Sequence, residues 1–332
     1  MLEILRELCT LDAVSGDEAA VRDYIINKIK NHCEYKIDPL GSIIAFKKGK
    51  KTPAKKVMLD AHMDEVGLII TYITDDGFLK FSAVGGIDTS VLMFRRVKVN
   101  GINGVISGKP IHLISADERK KLPDPHSLYI DIGASSKEDA LKLVSPGDRA
   151  VICGEYTDAG DKIKSKALDD RIGCAVLISM LLKEAEYDFY AVFSVQEEVG
   201  LRGAKAAAYS IAPEYALAVD VTDTGDTPEC EKMAVKLGGG AAVKVMDRSI
   251  ICDPDVRSTL IELAKRGKIP YQLEVMCDGG TDAGAIHISR GGVKTGGVSI
   301  PTRYIHSPSE AASLRDIDAC IDLLCAFCEN EF

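Results

Sequence analysis

The spacing of apolar residues changes along the chain, and each spacing predicts a different kind of element. Apolar residues recur at intervals of three and four in residues 2–11 and 18–29, which predicts two short helices. The Ser-Gly-Asp segment at residues 15–17 separates them, and its polar side chains can cap the second helix. Residues 42–46 and 57–61 are apolar, β-branched runs, which we predict to be two strands joined as a hairpin.

A region of short alternating runs follows. Apolar and polar residues alternate over residues 68–73, 78–84, 96–99, 104–107, 128–132 and 149–153, with glycine-containing turn dipeptides between the runs. Only residues 137–143 have helical spacing in this region. We therefore predict a separate β-rich unit over residues 68–161.

Longer helices alternate with buried strands after residue 162. Helical spacing covers residues 171–186, 203–210, 254–266 and 313–328, and strand-like runs cover residues 189–195, 215–221, 272–276 and 292–299. Such alternation predicts an α/β sandwich. A chain of 332 residues, 46% of them hydrophobic, is long enough for two domains. We predict a discontinuous α/β domain, residues 1–67 and 162–332, that carries the β-rich unit as an insertion.

Charge and composition disfavour several classes of function. The chain has 50 acidic and 41 basic residues and a formal net charge of -9, which disfavours binding to nucleic acids or anionic membranes. Six lysines lie between residues 47 and 56, where a solvated turn is favoured over a phosphate site. No apolar run approaches the roughly 18 residues of a transmembrane helix, and the N-terminus lacks the pattern of a signal peptide. We therefore expect a soluble, cytoplasmic protein.

Ten cysteines are scattered through the chain, mostly in apolar contexts, which predicts buried free thiols in a reducing compartment. The pair Cys325 and Cys328 has the spacing of a redox or zinc half-site, but no second pair accompanies it. Packing within a terminal helix is the favoured interpretation of this pair.

Polar side chains follow several predicted strands at their carboxyl ends, where open α/β sheets carry their functional groups. These side chains are His62, Asp64, Glu197, Glu198, Asp220 and His306. Taken singly, each has an ordinary alternative. A His-Asp pair at a strand end can be a surface hydrogen bond, and two neighbouring glutamates can belong to a solvated loop.

Two aspartates, Asp169 and Asp170, come just before the helix predicted after them. For Asp170 the role of a helix cap is favoured, and for Asp169 the role of a metal ligand. Imidazole and carboxylate ligands in this number suit two divalent ions that share one bridging carboxylate, an arrangement that activates water for hydrolysis. The candidate ligands are His62, Asp169, Glu198, Asp220 and His306, with Asp64 and Glu197 in supporting positions.

Five short segments surround the candidate residues in a distinctive order. They are 62–67 (HMDEVG), 167–173 (ALDDRIG), 195–200 (VQEEVG), 219–220 (VD) and 304–310 (YIHSPSE), and 108–113 and 128–133 add to them within the β-rich unit. In order and spacing these segments resemble the motifs of the tetrahedral (TET-type) dinuclear metallo-aminopeptidases. That family includes proteins named glutamyl or deblocking aminopeptidase, cellulase and endoglucanase. The resemblance covers nearly the whole chain.

The resemblance implies a ligand set for two divalent ions per subunit, which we expect to be zinc or cobalt. Asp169 would bridge both ions. His62 and Asp220 would complete one site, and Glu198 and His306 would complete the other.

The same resemblance implies the remaining roles, the fold and the activity. Glu197 would be the general base, and Asp64 would hold the His62 side of the site in position. The fold would be a three-layer α/β sandwich of the zinc-peptidase type with a PDZ-like insertion, through which family members form dimers and dodecamers. The activity would be removal of N-terminal residues from short peptides, with an ion anchoring the free α-amine.

Two other classes of function stay open. A related metal-dependent deacylase or carboxypeptidase would use the same scaffold, whereas a glycosidase would need two carboxylates around a sugar and no metal. A binding or scaffold protein with an inactive site is disfavoured by the intact ligand set and by Glu197. The motifs H-E-x-x-H and G-x-S-x-G do not occur in the sequence. The glycine-rich segments 238–240 and 279–284 are predicted to be turns lining the cleft.

Overall fold

The fold was obtained as a computed structural model, which describes residues 1–115, 120–230 and 232–332. The α-helices are α1 (Leu2–Thr10), α2 (Ala19–Ile29), α3 (Lys137–Leu141), α4 (Leu168–Leu181), α5 (Arg202–Ile211), α6 (Pro254–Gly267), α7 (Ala283–Ile286) and α8 (Leu314–Cys328). The first nine strands are β1 (Glu34–Ile37), β2 (Ile43–Lys47), β3 (Val57–His62), β4 (Gly67–Ile73), β5 (Leu79–Val84), β6 (Arg96–Val99), β7 (Ile102–Ser107), β8 (Tyr129–Asp131) and β9 (Arg149–Ile152). The remaining strands are β10 (Thr157–Asp158), β11 (Lys162–Ser165), β12 (Phe189–Ser194), β13 (Tyr215–Thr222), β14 (Ala241–Met246), β15 (Tyr271–Val275), β16 (Lys294–Arg303) and β17 (Glu310–Ser313). Within the described ranges, every helix is too short or too polar to cross a bilayer.

Eleven of these strands form one large sheet. Its order is β1-β2-β12-β3-β13-β16-β17-β11-β10, and β14 joins it through β16 and carries β15 on its other side. Strands β12, β3 and β13 are neighbours near the middle and run parallel to one another. Because they are parallel neighbours, their carboxyl ends meet at the same end of the sheet.

Helices cover both faces of the large sheet, so its central strands have no face open to solvent. In β3, Val57 and Leu59 pack into a core that also contains side chains of α1, α2, α4, α6 and α8. Met58, between them, packs into a second core with α5 and α7. Successive side chains of a strand point to opposite faces, so β3 contributes to both cores and is buried along its whole length, its polar residues Asp60 and His62 included.

Six strands form a second sheet that closes into a barrel. They pair in the order β4-β5-β8-β7-β6-β9 and enclose their own core, which includes Leu68, Ile70 and Ile106. The chain enters the barrel at Gly67, where a Cβ atom would lie 2.3 Å from the side chain of Val14. Only glycine fits at this close approach between the two units.

The mixed α/β fold predicted from the sequence is confirmed, but one predicted connection is wrong. Strands β2 and β3 do not form a hairpin, because β12 lies between them, antiparallel to β2 and parallel to β3. The hairpin partner of β2 is β1. All residues of β1 are exposed, and a search for apolar runs therefore overlooks this strand.

Other local expectations have mixed outcomes. The predicted cap of α2 is wrong, because Glu18 stands at the N-cap position without a side-chain hydrogen bond to the helix, and the Ser15 hydroxyl donates to Asp64. Helix α4 covers 168–181 rather than 171–186. The lysine-rich turn is solvated as predicted, since five of its six lysines are exposed. All ten cysteines are free thiols, as predicted, but only five of them are buried, and Cys230 and Cys277 are exposed. Cys325 and Cys328 pack along α8.

One buried arginine joins the segments on which the strand ends rest. Arg171 lies on α4 with no exposed surface, and its guanidinium donates to the carbonyl oxygens of Leu8 (2.6 Å) and Met63 (3.0 Å). A third bond, of 3.0 Å, goes to the carboxylate of Glu65, which also pairs with Lys166. Helix α1, helix α4 and the segment after β3 are thereby held together.

We expect the substitution Arg171→Ala to lower the free energy of unfolding by about 3–5 kcal/mol, the usual effect of removing one partner from a buried ion pair. The loss arises because the carbonyl groups of Leu8 and Met63 lose the guanidinium as donor and the buried carboxylate of Glu65 loses one of its two cationic partners. Urea-induced unfolding measures it. Arg266→Ala, at an exposed position of α6, is the matched control and should change stability by less than about 0.5 kcal/mol. Equal effects of the two substitutions would contradict this role of Arg171.

Candidate metal centre

The polar residues predicted at the strand ends meet where β12, β3 and β13 finish. His62 is the last residue of β3, and Asp220 lies two residues before the end of β13. Glu197 and Glu198 follow the last residue of β12 closely. Because these strands are parallel neighbours, their ends bring all four side chains to one place, as is usual for the sites of α/β sheets.

Asp169, from the first turn of α4, stands between two histidines. Its Oδ1 lies 3.0 Å from Nε2 of His62, and its Oδ2 lies 3.3 Å from Nε2 of His306, in the loop between β16 and β17. Asp220 Oδ1 is 3.9 Å from the same nitrogen of His62, and Glu198 Oε1 is 3.2 Å from that of His306. Each imidazole therefore faces one oxygen of Asp169 and one further carboxylate.

Both imidazoles are oriented by a contact at the opposite ring nitrogen. Nδ1 of His62 lies 3.1 Å from the carbonyl oxygen of Asp64, and Nδ1 of His306 lies 2.7 Å from the carbonyl oxygen of Gly86. A carbonyl oxygen only accepts, so each Nδ1 is the donor and each Nε2 faces the carboxylates. Histidines that bind metals commonly donate their other N–H in this way.

The carboxylate of Asp64 contacts both His62 and the backbone of Glu197 and Glu198. This carboxylate is fully buried and accepts the N–H groups of Glu197 (3.0 Å) and Glu198 (3.3 Å) and the hydroxyl of Ser15 (2.6 Å). Its Oδ1 also lies 3.5 Å from Nδ1 of His62. One carboxylate thus fixes the segments after β3 and β12 relative to each other.

The carboxylates of the centre are crowded and shielded from water. Burial raises the pKa of Asp220 well above its usual value, and the nearby charge of Asp169 raises it further. Burial likewise raises the pKa of Glu198. Burial also opposes the ionisation of Asp169, but hydrogen bonds from His306 and His62 outweigh it and hold the pKa of Asp169 below its usual range.

The negative charge of the surrounding carboxylates also shifts the pKa values of His62 and His306. Burial by itself lowers their pKa values, but hydrogen bonds to the surrounding carboxylates outweigh it. These contacts raise the pKa of His306 to about 12 and the pKa of His62 well above its ordinary value. The space between the imidazoles and the carboxylates therefore favours positive charge.

Two sets of donor atoms that share Asp169 are compact enough to hold divalent ions. One candidate ligand atom from each of His62, Asp169 and Asp220 lies within 4.8 Å of the others, and the same holds for Asp169, Glu198 and His306. Imidazole nitrogens and carboxylate oxygens are suitable ligands for zinc, cobalt or manganese. The residues therefore fit a pair of divalent ions, with Asp169 common to both sets.

Glu197 is a further carboxylate at this centre. It is largely buried and forms a third compact group of donor atoms with His62 and Glu198. Burial raises its pKa well above the usual value for a glutamate. A carboxyl group with such a pKa is suited to take up a proton from water and release it again.

The predicted residues converge on one cavity of about 460 Å³. The cavity is lined by His62, Asp169, Glu197, Glu198, Asp220 and His306, and further by Lys244, Met276, Gly279, Gly280 and Thr281. Residues 279–281 line it as predicted, whereas Asp282 is buried and accepts the hydroxyl of Ser194. The predicted turn at 238–240 lies elsewhere, where Asp316 accepts two of its N–H groups. Asp170 accepts the N–H of Gly173, as a helix cap does.

Two contacts of the centre were not predicted. The carbonyl oxygen of Gly86 contacts His306, and Gly86 lies just after barrel strand β5. The sequence around Gly86 predicted only a turn. Glu310 accepts the N–H groups of Asp169 and His306. It stands in the segment 304–310 that was noted, but its partner Asp169 is far away in the sequence and no local pattern connects the two.

Comparisons with known proteins identify close relatives. The sequence model of the M42 glutamyl aminopeptidase family matches residues 41–323. A relative from Acetivibrio thermocellus is 51% identical over 327 residues, which cover 98% of this chain and 97% of the relative. The lysyl aminopeptidase of Pyrococcus furiosus is 37% identical over 344 residues, covering 99% of this chain and 96% of the relative.

Solved structures agree with the sequence relatives. The TET1 peptidase of Pyrococcus horikoshii, which can assemble into a tetrahedron or a large octahedral shell, has a TM-score of 0.88 at 37% sequence identity. The match covers 98% of each chain. The resemblance to TET-type aminopeptidases, stated from the sequence motifs, is thereby confirmed.

We expect Zn²⁺ or Co²⁺ to raise the unfolding temperature of chelator-treated protein, because the folded state alone presents the compact donor groups. One ion at 100 times its dissociation constant adds about 2.7 kcal/mol to the free energy of unfolding. In Asp169→Asn this increase should be mostly lost, since Asp169 belongs to two of the donor groups. Differential scanning fluorimetry with and without the ion measures both changes.

Asp223→Asn is the matched control for this experiment. Asp223 lines the same cavity but is in none of the three compact groups, so this variant should keep the full stabilisation by the ion. Equal stabilisation of Asp169→Asn and the unsubstituted chain would show that Asp169 is not a shared ligand.

Proposed function

The chain belongs to the M42 glutamyl aminopeptidase family, whose members are peptide hydrolases, and on this basis we propose that it removes N-terminal residues from short peptides with the help of two divalent metal ions. One observation carries the proposal. Asp169 stands between His62 and His306, and each histidine faces a second carboxylate. A bridging carboxylate with nitrogen and oxygen ligands on both sides suits hydrolases that use two ions.

In this proposal His62 and Asp220 hold one ion, Glu198 and His306 hold the other, and Asp169 holds both. The ions, when bound, would supply Lewis acidity and would lower the pKa of a bound water molecule. The chain contributes the fixed positions of the ligands. The strand ends set one side of the centre, and the Nδ1 contacts keep both imidazoles turned toward it.

Glu197 is the proposed general base. Its carboxylate accepts the proton of the attacking water and then donates it to the leaving amine, so that one residue serves as base and acid in turn. The raised pKa of Glu197 supports this role, because a carboxyl group with an ordinary pKa would be a poorer proton donor near neutral pH. The bond from its N–H to Asp64 fixes the segment that carries it.

An acidic cavity supports recognition of the free α-amine of a peptide. Glu197, Asp220 and Asp223 line the cavity with the other carboxylates, and an ammonium group is attracted to such a wall. The volume of about 460 Å³ suits the end of a peptide chain, since small-ligand sites are of this size. We therefore propose that cleavage proceeds one residue at a time from the N-terminus.

A metal-dependent deacylase or carboxypeptidase is the alternative, because it would use the same ion ligands. A carboxypeptidase also needs a free cation for the carboxylate of its substrate. Among the described residues of the cavity wall, Lys244 is the one lysine or arginine, and it is buried and paired with Glu274 and Asp247. The aminopeptidase is therefore the better supported of the two.

We also propose that the inserted unit predicted over residues 68–161, apart from β10, which pairs with the large sheet, forms a PDZ-like dimerisation domain. We propose further that the chain assembles into dimers and dodecamers in the cytoplasm. The assembly of the TET1 peptidase of Pyrococcus horikoshii supports this by analogy. Large apolar side chains on the barrel unit support it independently, since Phe94 is 58% and Leu122 is 62% exposed. Burying such side chains against another copy is favourable.

The activity is tested with short peptides supplied in two forms, with a free and with an acetylated N-terminus. We expect chelated protein reloaded with Zn²⁺ or Co²⁺ to release single residues from the free form only, because the α-amine is part of what is recognised. Mass spectrometry of the products measures this. Cleavage of both forms at equal rates would favour the deacylase, and cleavage from the other end would favour the carboxypeptidase.

Glu197→Gln is the control for the mechanism within the same experiment. We expect kcat to fall by roughly 10²–10⁴-fold, the usual contribution of a general acid-base. The stabilisation by ions should persist, because Glu197 is not an ion ligand in this proposal. Full turnover in this variant would rule out the assigned role.

The assembly is tested by light scattering. We expect the unsubstituted chain to form dimers and dodecamers, and the double substitution Phe94→Ser and Leu122→Ser to give a smaller mass. Tyr209→Ser is the control, because Tyr209 is 61% exposed on α5, outside the barrel, and its loss should leave the mass unchanged. A monomeric unsubstituted chain would contradict the proposal for assembly without affecting the chemistry.

A further inference from the structure

One buried carboxylate contacts the backbone of two candidate ligands at once. Glu310 opens β17 and is 2% exposed. Its Oε2 accepts the N–H of Asp169 at 3.1 Å, and its Oε1 accepts the N–H of His306 at 2.9 Å. The two oxygens of the side chain therefore bind the two segments that meet at the second ion site, which is the one proposed for Glu198 and His306.

Strand pairing explains how one side chain reaches both segments. Strand β17 pairs antiparallel with β11, with Glu310 opposite Ser165. The chain leaves β11 after Ser165 and turns directly into the start of α4, where Asp169 lies. The loop that contains His306 leads into β17 from the other side. Glu310 thus stands where two segments that are distant in sequence converge.

The backbone of neither ligand has the conformation of the regular element next to it. His306 has φ of 61°, in the left-handed region that residues other than glycine seldom adopt. Asp169 has φ of -77° and ψ of 108°, outside the helical range although it stands in the first turn of α4. Hydrogen bonds outside regular secondary structure must hold both residues, and Glu310 supplies one to each.

We propose that Glu310 is a positioning residue that sets the distance between Asp169 and His306 and thereby the affinity of the second ion site. The inference rests on the proposed function, which names these two residues as ligands. The two oxygens of a carboxylate have a fixed separation, so they fix the spacing of the two N–H groups they accept. A neutral amide cannot replace them, because its NH₂ group would face an N–H donor.

Asp316 provides a matched control for this role. It is a buried carboxylate on α8 that also accepts two backbone N–H groups, those of Gly238 (2.6 Å) and Gly240 (2.7 Å). Neither glycine lines the cavity of the metal centre. The substitutions Glu310→Gln and Asp316→Asn therefore break the same kind of contact, one at the centre and one away from it.

The test is titration of chelator-treated protein with Co²⁺. Binding is measured by calorimetry and by the visible absorbance of the bound cobalt. We expect two ions to bind the unsubstituted chain. Each of them should bind Asp316→Asn with the same affinity as it binds the unsubstituted chain. In Glu310→Gln one of the two ions should bind 10–100-fold less tightly than in the unsubstituted chain, the usual effect of removing a partner that orients a ligand. The cobalt spectrum of this variant should also change. Unfolding temperatures without metal, measured for both variants, separate a loss of stability from a loss of ion affinity.

Each outcome bears on a separate claim. Unchanged cobalt affinities and spectrum in Glu310→Gln would overturn the positioning role and leave the proposed function intact. An unsubstituted chain that binds no cobalt would overturn the proposed function itself. If Glu310→Gln does not fold, Glu310→Asp takes its place, since it keeps the charge but draws both oxygens back from the N–H groups. The same weakening is expected there, and an unchanged affinity would again overturn the inference.

Discussion

Mutual repulsion of largely buried carboxylates is the constraint on which the centre of this protein depends. Asp169, Glu197, Glu198 and Asp220 converge there, and burial raises the pKa of three of them. Charges of one sign repel strongly at the low dielectric constant of a protein interior. Such a cluster opposes folding unless positive charge compensates it. The imidazoles and the divalent ions proposed here are the natural compensation.

The surrounding structure holds this cluster by its backbone and leaves the ligand atoms free. Asp64 accepts the N–H groups of both glutamates, and Glu310 accepts those of Asp169 and His306. Arg171 donates to carbonyl groups of α1 and of the segment after β3. In each case one buried side chain ties together segments that are far apart in sequence. Asp64, Glu310 and Arg171 bind backbone groups in these contacts, so the side-chain nitrogen and oxygen atoms of the candidate ligands still face the cavity.

The barrel contributes to the centre although its strands lie outside the large sheet. The carbonyl oxygen of Gly86, just after β5, is the acceptor that turns His306. A Cβ atom at Gly86 would lie 3.3 Å from Nδ1 of His306, so glycine allows the loop to approach the ring closely. The placement of the barrel therefore affects one side of the candidate metal centre. In this protein the inserted unit has a part in the site as well as the proposed part in assembly.

The sequence by itself determined most of the helices and strands, the end of the sheet that carries polar residues, and the family. These features follow from local properties: the period of apolar residues, the residues that come after each strand, and short motifs in a fixed order. Only the tertiary structure decided that β12 lies between β2 and β3, that Gly86 orients His306, and that Glu310 joins His306 to Asp169. Strand neighbours and hydrogen bonds between distant segments depend on how the whole chain packs. No local pattern encodes them, because the two partners of each contact are distant in sequence.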